Sequence, residues 1–432
     1  MSLATKLAEK LNDYQIQNPK LQAWRFDLHE SKGLEVGLKN NFLGGPYSAP
    51  SYKISVAGEL YLIWQEQRFT AAKIDAQVLE EFSQYMELWQ ATAYQDLEGV
   101  GLYQPGQIPE VPLADPQILQ MINRDFKPCF EVLSRGLKEL TEAGLEKIDG
   151  QIQCYQDQRV LMNSQGLEFT SIQTPMSFYF VVNNRYGQSY HEKKWPNETE
   201  LTKVIENTAR IGKLLSQEIL EHPTGSVQLI FPPEIFESFL SYFLIGNLAG
   251  SLVVNGQSRY CLDDFNSHQQ VLREDLSLEL NNLLPYRAFS YQCTTEGVPG
   301  GQVALIKDGQ LMTPILNLKY AKKTKRQPTP LSNGGFFLHS SQTLPSWESL
   351  ISQVKYGLIV YSVLGLHTQD ATSGQFSLNA DQCLLVENGE IRGQVTAVIN
   401  GDFLGSLQKN ESKLCFVSGE DNPGYLMMAN AG

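Results

Sequence analysis

The sequence is short of the features that bring a protein to nucleic acid or into a membrane. Its 432 residues include 34 basic against 47 acidic side chains, a formal net charge of −13. Duplex-binding proteins gain affinity by neutralising phosphates with Lys and Arg, so this balance counts against a nucleic-acid partner. Apolar runs stay below the roughly 18 residues that span a bilayer. The N-terminus, MSLATKLAEKLNDYQ, lacks the apolar core of a signal peptide, and we expect a cytoplasmic protein.

Cysteine and histidine are scarce and scattered, which limits the metal and redox sites that local motifs can form. The six cysteines include no CxxC pair, a pattern typical of buried thiols rather than a disulfide framework or a zinc ribbon. The six histidines are never within five residues of one another, and His191-Glu192 begins an HExxH pattern that ends in Trp195. Zinc hydrolases need histidines that meet on one ion and a carboxylate that activates water. A metal site would therefore have to draw its ligands from distant segments.

The order of hydrophobic patterns predicts an α+β fold. Residues 1–220 mix helical and strand-like segments and form the predicted N-terminal α+β domain, with a Gly- and Pro-rich subdomain break near 99–115. Residues 221–432 are mostly strand-like and form the predicted β-rich C-terminal domain with antiparallel hairpins.

Local signals in the first half predict two further elements. Residues 52–56 and 60–64 flank Ala57-Gly58-Glu59, which predicts a hairpin with its turn at the glycine. Asp75 is a suitable N-cap, and apolar residues at helical spacing predict one helix from there to about Tyr94.

One basic run stands out in the acidic chain, Lys319–Arg326 (KYAKKTKR). Charge runs usually form a solvated surface, so a solvated loop is the simpler interpretation. The alternative is an exposed contact site for an acidic peptide or a partner subunit. A phosphate-binding patch would be small beside the acidic remainder of the chain.

The most distinctive stretch runs from Tyr361 to Phe403. It begins with a glycine-punctuated loop, whose notable residues are Gly365, Asp370, Thr372, Gly374 and Ser377. Two apolar-rich strands then flank Glu387-Asn388-Gly389-Glu390, and Asn-Gly tolerates the positive φ angles of a type I′ turn. A loop held against a rigid hairpin often presents main-chain groups to a ligand, and a surface loop without a ligand is the alternative.

These motifs resemble the TldD/PmbA family, whose members are described as modulators of DNA gyrase and as subunits of a bacterial zinc metallopeptidase. Asp-x-x-x-Gly-x-Phe-Ser from Asp370 and the later Val-Glu-Asn-Gly-Glu-Ile are similar to the family's C-terminal region. Further similar segments are Glu296-Gly297-Val298-Pro299, Leu305–Leu311 (LIKDGQL) and Leu161–Gly166 (LMNSQG). Several short motifs in the family's order are a stronger signal together than any of them alone.

The resemblance implies a family with two branches. The TldD-like branch carries HExxxH on a helix of the C-terminal part and a late cysteine ligand. The PmbA-like branch, also called TldE, lacks that motif and forms a heterodimer with the first. The corresponding positions here are Pro233, Glu234 and Ser238, and neither proline nor a lone serine hydroxyl is a suitable zinc ligand. Cys415 falls where the late cysteine ligand of the TldD-like branch would be expected, and we expect it to be a buried thiol.

The resemblance therefore implies a PmbA/TldE-like subunit that holds no metal or cofactor, contributes no catalytic residue and is inactive alone. Zinc is expected only in a TldD-like partner, and the substrates are unfolded or modified peptides. The candidate peptide-binding residues are Glu296, Gly300, Gly301, Gly365, Asp370, Thr372, Gly374 and Ser377. Formation of a homodimer by the isolated chain is an open alternative.

Two other functions are weighed beside this one. The chain could regulate gyrase or toxin–antitoxin partners through protein contacts, without proteolysis and without touching DNA or membrane. It could also be an independent hydrolase whose ligands come from scattered residues such as His339, His367 and Asp370.

Overall fold

The structure, a computed structural model, describes residues 2–45, 48–96, 101–102, 106–217, 219–330 and 334–432. Its strands are β1 (Leu21–Lys39), β2 (Phe42–Leu43), β3 (Ser51–Trp64), β4 (Arg68–Asp75), β5 (Tyr94–Gln95), β6 (Asp149–Asn163), β7 (Glu168–Gln173), β8 (Met176–Val182), β9 (Tyr186–Glu192), β10 (Gly225–Phe231), β11 (Leu276–Asn281), β12 (Gln302–Lys307), β13 (Gln310–Leu311), β14 (Phe336–Ser340), β15 (Thr343–Leu344), β16 (Tyr356–Leu364), β17 (Gln375–Glu387), β18 (Glu390–Asp402), β19 (Lys413–Cys415) and β20 (Gly424–Ala431).

The helices separate these strands along the chain. They are α1 (Leu3–Gln17), α2 (Ala76–Glu80), α3 (Phe82–Thr92), α4 (Pro116–Met121), α5 (Lys127–Glu142), α6 (Glu198–Leu214), α7 (Pro233–Phe239), α8 (Gly246–Leu248), α9 (Gly250–Val254), α10 (Leu262–Asn266), α11 (Leu318–Thr324), α12 (Trp347–Ile351) and α13 (Phe403–Ser406). Leu240–Ile245 is a π-helix, and Gln65–Gln67 and Leu366–Thr368 are 3₁₀ turns. This mixture confirms the predicted α+β fold with a β-rich C-terminal part. Within the described residues, none of the helices combines the length and apolar content that crossing a membrane requires.

The chain divides into two compact units that are interleaved in sequence. The N-terminal unit consists of residues 1–209, 282–301 and 317–334, and the C-terminal unit of residues 210–281, 302–316 and 335–432. The predicted division at 220/221 stays a prediction, as does the subdomain break near 99–115, part of which lies outside the described residues.

One long antiparallel sheet organises the N-terminal unit, in the order β5-β4-β3-β1-β6-β8-β9. Side chains alternate between the two faces of a strand, and β1 shows this alternation clearly. Trp24, Phe26 and Leu28 are buried in an apolar core that includes residues of α1, α2 and α3. Arg25 and Asp27 therefore lie on the opposite, polar face, and they too are almost fully buried.

The predicted hairpin at Ala57-Gly58-Glu59 is wrong. β3 continues through these residues and pairs with β1 from Leu21 to Glu35 along nearly its whole length. A Cβ atom on Gly58 would lie 2.4 Å from the carbonyl oxygen of Asp27. The glycine therefore permits a close approach between two strands, which is the other common reason for glycine inside a strand.

Two further local predictions need correction. Asp75 does cap a helix, since its Oδ1 accepts a hydrogen bond from the Val78 N–H at 2.9 Å. That helix, α2, ends at Glu80, however, and α3 begins separately at Phe82. The basic run at 319–326 is not a loop, because residues 318–324 form α11, although Lys322, Lys323 and Lys325 are exposed to solvent as predicted.

The C-terminal unit contains a closed ring of five strands. The ring runs β10-β16-β17-β18-β20, and β20 pairs back onto β10 from Gly225 opposite Ala431 to Phe231 opposite Tyr425. A four-stranded sheet, β13-β12-β11-β14, completes the unit's sheet structure. The predicted turn between β17 and β18 is confirmed, with φ of 51° at Asn388 and 78° at Gly389.

Candidate functional site

An aromatic cluster anchors α7, the helix at which the sequence predicts a degenerate metal motif. The ring centroids of Phe236 and Tyr425 lie 4.8 Å apart, and those of Phe239 and Phe231 lie 4.6 Å apart. All four side chains are fully buried. Burying rings of this size contributes much of the core energy of a unit, so the position and rotation of α7 are well determined.

The three motif positions offer one carboxylate and no imidazole. Pro233 is buried in the first turn, where a helix tolerates the missing N–H. Glu234 and Ser238 are exposed one turn apart, and the Ser238 Oγ donates to the main-chain carbonyl of Glu234 at 2.9 Å. Among the described residues, no three His, Cys, Asp or Glu side chains are grouped so that they could hold a metal ion. These positions do not fit zinc, which takes nitrogen, sulfur and carboxylate ligands together.

Cys415 is a buried thiol on β19, as expected. Burial raises its pKa to about 11, although a main-chain hydrogen bond from Gly424 opposes the shift. Cysteine binds metals as the thiolate. At neutral pH Cys415 is therefore a protonated side chain that packs in the core.

Three side chains from residues 242–259 hold the loop 365–377 in place. The Tyr242 hydroxyl donates to two loop carbonyls at 2.5 and 3.2 Å, and Asn247 Nδ2 donates to a third at 2.8 Å. The guanidinium of Arg259 donates to two more, at 2.9 and 3.2 Å. The accepting carbonyls belong to His367, Gln369, Ala371, Thr372 and Ser373.

The predicted residues of this loop shape it from within. Asp370 Oδ1 accepts hydrogen bonds from the N–H and the hydroxyl of Thr372, at 2.9 and 2.7 Å. These bonds to Thr372 lower the pKa of Asp370. Gly365 and Gly374 have φ angles of 89° and 75°, and a Cβ atom on Gly374 would lie 2.7 Å from Leu404 Cβ. Peptide contact by these residues stays a prediction.

Ser377 lies where the edge of a strand begins. β16 pairs with β17 only as far as Leu364 opposite Asn379, while β18 pairs with β17 down to Gln375. Within the described residues, 375–378 therefore have a strand neighbour on one side only. The Ser377 N–H donates instead to the side-chain Oε1 of Gln369, at 2.9 Å.

The other predicted segment, 296–301, belongs to the N-terminal unit. Glu296 Oε2 accepts a hydrogen bond from the Leu318 N–H at 2.9 Å, at the start of α11. The Gly300 N–H donates to the Gln292 carbonyl at 2.8 Å, and the Gly301 N–H donates to Asn282 Oδ1 at 2.8 Å. Both glycine N–H groups are thus used inside the unit.

The eight candidate peptide-binding residues fall into two groups in different units. Glu296, Gly300 and Gly301 belong to one, and the five loop residues belong to the other. The scattered ligands of an independent hydrolase do not form a metal-binding group among the described residues. Sequence reasoning missed Tyr242, Asn247 and Arg259, because no local pattern links them to a loop more than 100 positions away. It also missed Gln369, a residue of the loop itself whose bond to the Ser377 N–H follows only from the folded loop.

Comparisons with known proteins give the relatives of this chain. Residues 224–414 match the model of the PmbA/TldA metallopeptidase C-terminal domain. The metalloprotease PmbA homolog of Buchnera aphidicola is 24% identical over 282 residues, which are 59% of this chain. The match spans 61% of that relative, less than two thirds of its length.

Solved structures share the fold over the whole chain. TldE from Thermococcus kodakarensis superposes with a TM-score of 0.78 at 17% identity, covering 100% of this chain and 99% of that one. A Bacteroides thetaiotaomicron protein assigned as a modulator of DNA gyrase gives 0.77 at 18% identity, covering 99% and 98%.

Proposed function

This chain belongs to the PmbA/TldD family, and on that premise we propose that it is the PmbA/TldE-like, metal-free subunit of a heterodimeric zinc peptidase. A TldD-like partner supplies the zinc ion and the water that the ion activates. The complex acts on unfolded or modified peptides in the cytoplasm. The chain alone hydrolyses nothing.

The observation that carries this proposal is the chemistry of α7. By resemblance α7 corresponds to the family's motif helix; it is firmly packed, and its motif positions are Pro233, Glu234 and Ser238. A hydrolytic zinc site needs three protein ligands and a carboxylate that takes a proton from the bound water. One exposed carboxylate beside a serine hydroxyl fulfils neither requirement. The metal chemistry is therefore assigned to the partner.

The strand edge at 375–378 supports a role in holding the substrate. An extended peptide can add to an exposed edge as a further strand, with main-chain hydrogen bonds that tolerate many sequences. The Ser377 N–H is held by a side chain rather than by a strand, so a peptide carbonyl can replace Gln369 there. The loop 365–377 is braced by Tyr242, Asn247 and Arg259, and a rigid edge binds with less loss of entropy.

Reconstitution tests the proposal directly. The purified chain, a TldD-like protein of the same cells and their mixture are each analysed for zinc and for cleavage of a fluorescein-labelled unfolded protein. We expect zinc only where the partner is present, cleavage only in the mixture, and loss of cleavage with a chelator. Chelator-sensitive hydrolysis by this chain alone would overturn the proposal.

A pair of variants tests whether α7 takes part in the chemistry. Glu234→Gln removes the only carboxylate of the motif positions, and Glu237→Gln is the matched control on the same exposed side of the helix. We expect both mixtures to retain the activity of the wild type within about twofold. A loss of two or more orders of magnitude for Glu234→Gln alone is the size expected for a missing general base, and it would assign catalysis to this chain.

Regulation without proteolysis is the second candidate function. It is supported by the structural neighbours assigned as modulators of DNA gyrase. The net charge of −13 favours a route through protein contacts. Supercoiling by purified gyrase with and without the chain tests it, and a DNA mobility shift at physiological salt would contradict the protein route.

A further inference from the structure

We propose that a cavity in the N-terminal unit, here called the Arg25 pocket, binds the carboxylate group of a peptide. Its lining includes Arg25, Tyr61, Phe69, Glu296, Lys319 and Lys322. The peptide part of this inference rests on the proposed function, whereas the preference for a carboxylate rests on the cavity alone.

Arg25 is the reason to expect an anion. Its side chain is 4% exposed, and within the described part of the chain its Nε is buried without a hydrogen-bond partner. A buried donor left unpaired is costly, above all on a charged group. Burial lowers the pKa of Arg25 while the Glu296 carboxylate and Tyr61 oppose the shift, and arginine remains charged at physiological pH. A carboxylate accepts hydrogen bonds from a guanidinium with favourable planar geometry.

The register of three neighbouring strands builds the walls. Arg25 on β1 is directly opposite Tyr61 on β3, and its guanidinium carbon lies 4.0 Å from the centre of that ring. Ile63 on β3 is opposite Phe69 on β4, and the rings of Tyr61 and Phe69 are 5.7 Å apart. Apolar walls lower the local dielectric constant, which strengthens an ion pair relative to bulk water.

The charges around the pocket favour a small anion over a large one. Arg25, Lys319 and Lys322 are the cations of its lining, and Glu296 is the carboxylate. Behind the lining, Asp96 Oδ2 lies 2.7 Å from Lys319 Nζ, and Glu59 accepts a hydrogen bond from the Tyr61 hydroxyl at 2.6 Å. A ligand carboxylate adds one negative charge beside these three and a phosphate dianion adds two, so the carboxylate is the better match.

The size of the pocket agrees with this choice. It measures about 60 Å³, and one water molecule occupies about 10–15 Å³ on the same measure. A carboxylate with its adjoining carbon fits, and a whole peptide does not. Lys322 is exposed, so the rest of a peptide can remain in solvent beside it.

Fluorescence anisotropy of a labelled tetrapeptide of alanine and glycine, titrated with the full chain alone, tests the inference. The peptide is made with a free C-terminal carboxylate, as its C-terminal amide, and as the amide with one internal glutamate. We expect at least one carboxylate form to bind about tenfold or more tightly than the neutral amide. The form that does so identifies the terminus or the acidic side chain as the source. Acetate should displace that form and acetamide should not.

Three variants locate the binding. Lys322→Gln should weaken the carboxylate form about two- to fivefold. Lys323→Gln, the same change on the neighbouring residue of α11 and outside the lining, should change it less than twofold. Arg25→Lys keeps the charge and loses the fork of donors, so it should weaken binding about tenfold or more. If Arg25→Lys does not fold, the comparison of Lys322→Gln with Lys323→Gln decides.

Equal binding of all three peptides, or equal effects of the two lysine variants, would overturn the Arg25 pocket. The peptidase activity of the reconstituted mixture is measured separately. An active mixture without carboxylate-dependent binding refutes the pocket alone. Carboxylate-dependent binding with an inactive mixture refutes the proposed function and leaves the pocket as a binding site for small carboxylates.

Discussion

The buried Arg159–Asp27 pair is the interaction of the N-terminal unit whose disruption we expect to be most destabilising. Arg159 is 7% exposed and Asp27 is 2% exposed. The guanidinium donates to both carboxylate oxygens at 2.8 and 2.7 Å, and to the main-chain carbonyls of Cys293 and Thr294 at 2.7 and 2.8 Å. Burial alone would lower the pKa of Arg159, and the bonds to Asp27 raise it instead. One side chain thus joins β6, β1 and the segment 293–294 of the same unit.

Replacing Arg159 by methionine leaves the Asp27 carboxylate buried without its guanidinium. Removing one member of a buried ion pair costs about 3–5 kcal/mol, and we expect the free energy of unfolding to fall by that amount. The double variant Arg159→Met/Asp27→Leu removes the buried Asp27 carboxylate as well. Apolar replacement of a whole buried pair is often neutral or stabilising, so the double variant should be more stable than Arg159→Met. It should remain below the wild type, because two carbonyls lose their donor.

Urea unfolding followed by tryptophan fluorescence measures these differences, since Trp24 and Trp64 are buried in the same unit. The control is Arg392→Met, which removes an exposed arginine that pairs with Glu390 at 2.7 Å. Exposed pairs contribute at most about 1 kcal/mol. A loss below about 1 kcal/mol for Arg159→Met, or simple additivity of the two substitutions, would refute the reasoning.

Three further outcomes are expected. Gln369→Ala frees the Ser377 N–H at the strand edge, so the KM of the reconstituted mixture for peptides should fall about fivefold, the worth of one hydrogen bond. Gln369→Glu keeps a hydrogen-bond acceptor there and should not lower the KM. An unchanged KM for the alanine variant would exclude peptide binding at this edge. Burial alone would lower the pKa of His29, but its hydrogen bond to Asp157 and that residue's charge raise it. Protonated His29 therefore stabilises the folded chain fully below about pH 6.5, and this contribution is lost as pH rises through the raised pKa of His29. The difference in urea midpoint between wild type and His29→Gln should shrink over that range, and a pH-independent difference would contradict the assignment. Gly58→Ala should destabilise the chain by about 1–3 kcal/mol through overpacking, as measured by thermal unfolding. A Cβ atom on Gly45 meets only an ordinary contact at 3.6 Å, so Gly45→Ala is the control and should leave the stability unchanged.

Turns and helix starts could be predicted from the sequence where the residue types present favour a single local conformation. Asn388-Gly389 predicts its turn because both residues tolerate positive φ, and Asp75 predicts a helix start because its side chain can reach the N–H of Val78. The turn predicted at Gly58 is wrong because glycine is compatible with more than one local structure. Glycine serves both turns and close strand contacts, and only the pairing of β3 with β1 distinguishes them.

The candidate sites depend on contacts between distant segments, which no single sequence displays. The sequence indicates the loop 365–377, but the side chains that brace it, such as Arg259, follow only from the folded topology. The resemblance identifies Glu296, whereas its place beside Arg25 depends on how residues 282–301 fold against strands that are distant in the sequence of the same unit. Motifs could therefore indicate which residues matter without indicating what they touch.

The interleaving of the two units in sequence bears on how the protein is made and cut. As the chain leaves the ribosome, residues 1–209 are complete long before the segments 282–301 and 317–334 that join them. Until those segments are synthesised, Arg159 cannot form its hydrogen bonds to the carbonyls of Cys293 and Thr294. The ring of the C-terminal unit likewise closes only when residues 424–431 reach β10. A fragment that ends or begins near residue 220 would therefore lack segments of the unit it is meant to contain, and neither half of such a cut should fold as a complete unit.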